Sequence, residues 1–244
     1  MKHHSLRKTM FFLVLAAGII PLHAEVKLSE IQPQSPPIII RNLQRGVERG
    51  DTDCMYILGT HYYEGKWVPR DGKMAVKLWR MAANRGDAYA QLTLGVCYYY
   101  GDMVPLNYRE AVRWFLEAAH QGDATAQFSL GLCYAEGTGV EQNDEEAVRW
   151  YRLAAEQGDP AAQYSLGNCY AEGAGVEQND EEAVRWYRLA AEQGDEDAID
   201  VLIQCYEEGV GVEKSAAEAQ VWRQKKSVAA GARPQSPKPP EQDK

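Results

Sequence analysis

Basic residues are in deficit in this chain: 26 Lys and Arg stand against 35 Asp and Glu, a formal net charge of −9. That balance leaves no strongly basic face, which argues against a nucleic-acid partner. Long apolar runs are also missing. The longest, residues 10–20, is 11 residues, against roughly 20 for a helix that crosses a bilayer, so stable membrane insertion is not expected. Metal and nucleophile motifs are scarce as well. Beyond residue 24 only His61 and His120 remain, with no second His at i+4 and no Cys-x-x-Cys. A Ser with a Lys three residues on, which a serine acyl-enzyme of the β-lactam type requires, occurs only as Ser5 and Lys8. Gly137, Thr138 and Gly139 are not a phosphate loop, because no strand precedes them and the third glycine is absent. No catalytic, cofactor-binding or metal-binding residue is therefore assigned. What is present, 45% hydrophobic, 25% charged and 10% aromatic residues, is the composition of a folded soluble protein.

The start of the chain is set apart. Lys2, Arg7 and Lys8 precede the apolar run, and Pro21, Leu22, His23 and Ala24 follow it. A basic head, a short apolar middle and a small final residue read as a secretory signal peptide over 1–24, cut after Ala24. Leu22 is larger than the residue usually found three before a cut, and an uncleaved anchor or a buried helix is the alternative. The protein is expected to be exported, to the periplasm or the medium, and cleavage would move its charge from −9 to −12.

The remainder repeats itself. Leu58-Gly59, Leu94-Gly95, Leu130-Gly131 and Leu166-Gly167 recur every 36 residues, with Leu202-Ile203 on the next beat. Tyr62, Tyr98, Tyr134, Tyr170 and Tyr206 keep the same period, and Gly-Asp pairs mark the joins. The units are 51–86, 87–122, 123–158, 159–194 and 195–228. The third and fourth differ at five of 36 positions, as a recent duplication would leave them. Each unit reads as two helices. The second begins at a capping residue, Asp71, Asn107, Asn143, Asn179 or Ser215, and in four of five a Glu three residues on completes the pattern of a capping box. Glu145 and Arg149 have the spacing of a helical ion pair. A helix pair of this size cannot bury its own apolar face, so units must stack. Residues 38–50 align with a second helix alone and are expected to cap the array, and Lys225, Lys226 and Ser227 make the last helix polar. Residues 25–37 and 229–244 are Pro-rich and expected to be disordered.

The pattern Ala126-x-x-x-Leu130-Gly131-x-x-Tyr134-x-x-Gly137-x-Gly139-Val140, followed by Ala147-x-x-Trp150-Tyr151-x-x-Ala154-Ala155-x-Gln157-Gly158, resembles the Sel-one-like repeat (SLR), a relative of the tetratricopeptide repeat. The resemblance implies an all-α fold: a right-handed α/α superhelical solenoid of about five 36-residue helix-pair repeats with a capping half-repeat, first helices lining a concave face. It also implies a non-catalytic scaffold or adaptor for a protein or peptide. Trp67 and Met103 depart from the pattern, standing where later units have Gly139, Gly175 and Gly211, so the first two loops need not share the common backbone.

Cys97, Cys133, Cys169 and Cys205 keep the beat, and the second cysteine with which cysteine-rich members of the family staple each unit is absent. Equivalent helices about 8–10 Å apart are too distant for a disulfide, so buried thiols are expected, with pairing in an oxidising compartment left open. By the same resemblance, concave positions fall five and two before each conserved Leu and two, five and six after it. The partner-binding candidates are Tyr56, Tyr63, Trp67, Tyr89, Leu92, Tyr99, Tyr100, Met103, Phe128 and Tyr164, aromatic-rich as binding hot spots are. Packing between repeats is the competing role for each. Two other functions stand beside the scaffold: a cell-envelope hydrolase of the β-lactam or penicillin-binding type, and a structural spacer.

Overall fold

The computed structural model describes residues 36–231. Among the described residues there are eleven α-helices and no strand: α1 (Pro36–Glu48), α2 (Thr52–Glu64), α3 (Gly72–Ala83), α4 (Ala88–Tyr100), α5 (Tyr108–His120), α6 (Ala124–Glu136), α7 (Asp144–Glu156), α8 (Pro160–Glu172), α9 (Asp180–Glu192), α10 (Glu196–Glu208) and α11 (Ala216–Gly231). The expected leader lies outside the described residues, as do the two Pro-rich segments except at their edges. There α1 begins at Pro36 rather than 38, since proline costs no hydrogen bond in a first turn, and α11 continues through Ala229 and Ala230, good helix formers, to Gly231. The chain divides into two compact units at residue 126, with 138–140 belonging to the first.

Every second helix starts as the capping residues dictate. Asp71, Asn107, Asn143 and Asn179 accept from the backbone N–H three residues on at 3.0–3.2 Å, and Ser215 does so at 3.3 Å. The joins work the same way: Asp51, Asp87, Asp123, Asp159 and Asp195 cap the first helices. The capping box itself does not form. The N–H of each second-helix cap donates instead to the carbonyl of the periodic tyrosine (Tyr62, Tyr98, Tyr134, Tyr170 or Tyr206) at 2.8–2.9 Å. The freed glutamates turn to Arg three residues ahead, as Glu110–Arg113, Glu146–Arg149 and Glu182–Arg185. Glu146, not Glu145, is thus the partner of Arg149.

The Leu-Gly beat is a packing device. Gly59, Gly95, Gly131 and Gly167 lie under the rings of Trp79, Phe115, Tyr151 and Tyr187, and a Cβ on any of them would come within 2.4–2.7 Å of the ring. Both members change together in the last repeat, where Ile203 and Arg223 hold these positions. Buried alanines let the helices close in: Ala82, Ala118, Ala154 and Ala190 are all 0% exposed. A second ladder is polar. Gln121, Gln157 and Gln193 donate from Nε2 to Oε1 of the buried Gln91, Gln127 and Gln163 at 2.7–2.9 Å. Gln91 and Gln163 donate onward to the carbonyls of Ala83 and Ala155 at 3.1 Å. These amides are satisfied, as burial demands.

At the ends, α1 packs on α2 through Gly46 against Cys54 and through Ile40 beside Leu58 and Leu78. In α11, Lys225 and Ser227 are exposed, while Arg223 and Lys226 pair with Glu207 and Asp200.

The first two loops do share the common left-handed position. Trp67 and Met103 sit at φ of 63° and 59°, in the left-handed region that Gly139, Gly175 and Gly211 occupy at 65–79°. The loop is held by its hydrogen bonds whichever residue is there. Lys66 N–H donates to His61 O and Asp71 N–H to Tyr62 O in the first repeat; Ala174 donates to Cys169 O and Asn179 to Tyr170 O in the fourth.

Candidate functional site

Four tyrosines of α2 and α4 come from two repeats of the first unit and keep part of their surface exposed. Tyr56, Tyr63, Tyr89 and Tyr100 are all half-buried. Tyr56 and Tyr89 lie side by side, centroids 6.1 Å apart. Tyr63 packs on Trp79 at 5.7 Å, donates its hydroxyl to Asp102 Oδ2 at 3.2 Å, and carries the Arg70 guanidinium over its ring at 5.7 Å. Burial, then the adjacent Asp102 carboxylate, pushes the Tyr63 hydroxyl up to about 12, so it stays a neutral donor. Asp102, which bridges the two repeats here, was not singled out from the sequence; its only signal was its place beside Met103 in the loop.

Three candidates are removed by burial. Leu92, Tyr99 and Phe128 are 6%, 8% and 6% exposed. Tyr99 is the hub of an aromatic cluster with Tyr100, Tyr108 and Phe115, and Phe128 lies against Tyr151. The remaining candidates divide. Trp67 is 45% exposed, but stacks on His61 at 4.9 Å under the Lys66 ammonium. Met103 lies across Gly72 and lines a groove that contains none of the tyrosines. In the second unit Tyr164, half-buried, packs on Tyr187 at 5.8 Å. Asn168 there accepts from the Tyr187 hydroxyl at 2.8 Å. The change from Leu132 to Asn168 between the duplicated repeats is thus tied to packing around Tyr187, and it argues less for a ligand surface than the pattern alone implied.

Among the described residues no three His, Cys, Asp or Glu side chains cluster to hold a metal. All five thiols are free. Burial pushes Cys97 and Cys133 up to about 12 and Cys169 to about 11, and raises Cys54 and Cys205 as well, so none is an activated nucleophile. His61 is a packed substitute on the cysteine beat, its Nδ1 buried without a partner.

Helix pairs on a fixed 36-residue beat, each capped by residues of one type and four of the five packed ring on glycine, define an α-helical repeat protein of the solenoid class. The Sel1 repeat family profile matches residues 52–87, 88–123, 124–159, 160–195 and 204–225; the chain belongs to the Sel1-repeat family. It is similar to a protective antigen present in uropathogenic Escherichia coli strains that displays an SLR fold, at 37% identity and a TM-score of 0.76. That match covers 78% of this chain but 41% of the antigen, so the chain spans well under half of that relative's length. A Sel1 repeat protein from Oxalobacter formigenes is similar at 33% identity and a TM-score of 0.74, covering 78% of each chain. No curated protein matches the sequence. Proteins of this family typically serve as protein-interaction scaffolds and are generally without enzymatic activity.

Proposed function

We propose that the protein is an exported, non-catalytic scaffold that holds a protein or peptide partner on the concave face implied for its first helices, centred on the first two repeats. The observation that carries this is the row of half-buried tyrosines at 56, 63, 89 and 100. They pack against neighbouring rings while remaining partly exposed, so they offer large contact area at little entropic cost. The family supports a protein partner. Export rests on the order of residues in 1–24.

The test begins with crosslinking in the native host and purification of the captured protein. The triple substitution Tyr63→Ala, Tyr89→Ala, Tyr100→Ala should weaken binding of that purified partner at least about tenfold, 1.4 kcal/mol, with the helical circular dichroism unchanged. Undiminished binding by the folded triple variant would move the site off these helices. Intact mass should show mature protein starting near Glu25, and Met1 retained in the native host's soluble cytoplasm would defeat export.

A further inference from the structure

The groove under Met103 has a charge pattern that the rest of the array lacks. It encloses 390 Å³ and is walled by Val76, Met81, Met103 and Val104, with Lys73, Lys77 and Arg80 along one side. Those three cations fall at i, i+4 and i+7 of α3, hence on one helix face. The second, third and fourth repeats neutralise the central cation of the same face internally. Arg113, Arg149 and Arg185, the counterparts of Lys77, each pair with a glutamate three residues before. In the first repeat that glutamate is replaced by Met74, and the counterparts of Lys73 in the third and fourth repeats are Glu145 and Glu181. Among the described residues neither Lys73 nor Lys77 has an ion-pair partner, and both are exposed. Arg80 is held in position by donating to the Tyr98 hydroxyl at 2.6 Å. A cationic rim thus borders an apolar floor on an otherwise acidic chain, and the carboxylate supplied within the later repeats has no counterpart here.

We infer that this groove docks an acidic peptide segment of a partner protein, its carboxylates on Lys73, Lys77 and Arg80 and an apolar side chain against Met103 and Val104. The site is separate from the tyrosine face and does not depend on it. Charge complementarity selects the occupant, because the rim offers three cations to carboxylates while Val76, Met81, Met103 and Val104 offer apolar contact.

The test uses the folded full chain and a fluorescein-labelled synthetic peptide in which Glu and Leu alternate, read by anisotropy. Saturable binding that weakens with added salt is expected. It should fall at least about tenfold in Lys73→Glu/Lys77→Glu and a few-fold in Met103→Gly, which removes one apolar wall. Binding should survive the tyrosine triple substitution. Equal binding by the double charge reversal, or of a peptide with Gln for Glu, would overturn the inference. So would binding to phosphatidylglycerol vesicles with none to the peptide, which would make the groove a lipid-headgroup site. Self-association in sedimentation, abolished by the same reversal, would make the occupant a second copy of this chain and overturn a separate partner.

Discussion

The second repeat and the fourth make the same contact with opposite residues. In the fourth, Gly175 is pressed so near the start of α7 that an added Cβ would lie 2.2 Å from Asp144 O, and Gly211 stands in the same way over Asp180 O. In the second repeat the loop carries a side chain, Met103, and the facing first turn gives way: Gly72 occupies the place of Asp144, and a Cβ there would come 2.8 Å from Met103 Cγ. The close approach between successive repeats is therefore an invariant of the fold, and which side contributes the missing side chain is not. The cost differs. A methionine at φ 59° stores about 1–2 kcal/mol of backbone strain that glycine avoids. That strain falls on the residue that walls the cationic groove.

What the first four repeats share should break hardest. Trp79→Ala removes a ring 1% exposed, its contact with Gly59 and its bond to Tyr56 O, and should cost about 3–5 kcal/mol in urea unfolding. A loss under about 1 kcal/mol would mean the ring-on-glycine contact is incidental. Next comes the asymmetry itself. Gly175→Met should cost about 3 kcal/mol, from strain plus a collision with backbone. Met103→Gly should lie within about 1 kcal/mol of neutral, because relief of strain offsets lost packing over Gly72. Equal losses for the two would dissolve the comparison. Smaller still, Gln163→Leu takes one of two acceptors from Gln193 Nε2, which keeps Gly158 O, and leaves Ala155 O without its side-chain partner, for about 1 kcal/mol.

The smallest effect is a pH dependence special to the first repeat. Burial, then the Lys66 charge, lowers the His61 pKa below its ordinary value of 6.5. The unfolded chain then binds the proton more tightly, so the stabilisation is complete above pH 6.5 and is lost as the pH falls through the folded value. The difference between wild type and His61→Cys, which restores the cysteine of the later repeats, should grow on acidification. A difference independent of pH would show that His61 does not titrate with folding. Thiol reactivity gives a parallel check: Cys97 and Cys133, held up at about 12, should react with Ellman's reagent only on unfolding.

Period, helix count and second-helix caps were legible because each is local and repeated five times. Five Asp at the joins carried the same capping signal. That the first two loops keep the common backbone was not legible from Trp67 and Met103, because glycine is not its cause. The cause is the pair of hydrogen bonds closing the loop onto His61 and Tyr62, whose donors are backbone and invisible to composition. The site was legible only as an aromatic excess. Adjacent positions on one helix, Tyr99 and Tyr100, end up buried and half-exposed, and spacing by repeat cannot separate them. The cationic groove did have a sequence signal, Met74 in place of the glutamate of all four later repeats, but its meaning depends on knowing that the glutamate pairs forward with Arg in three of them.

The Met103–Gly72 junction also constrains how such an array can grow. Copies of the third repeat can be appended one after another, because each brings a glycine at its leading edge and tolerates one at its neighbour's, as the near-identical fourth repeat illustrates. The first and second repeats cannot be shuffled so freely. A second repeat inserted behind Asp144 would drive a methionine into a carbonyl, and a fourth repeat inserted behind Gly72 would leave a hole where two glycines face. Tandem duplication is thereby channelled towards the C-terminal half, and the pair bearing the tyrosines and the lysines is kept as a single, unduplicated copy.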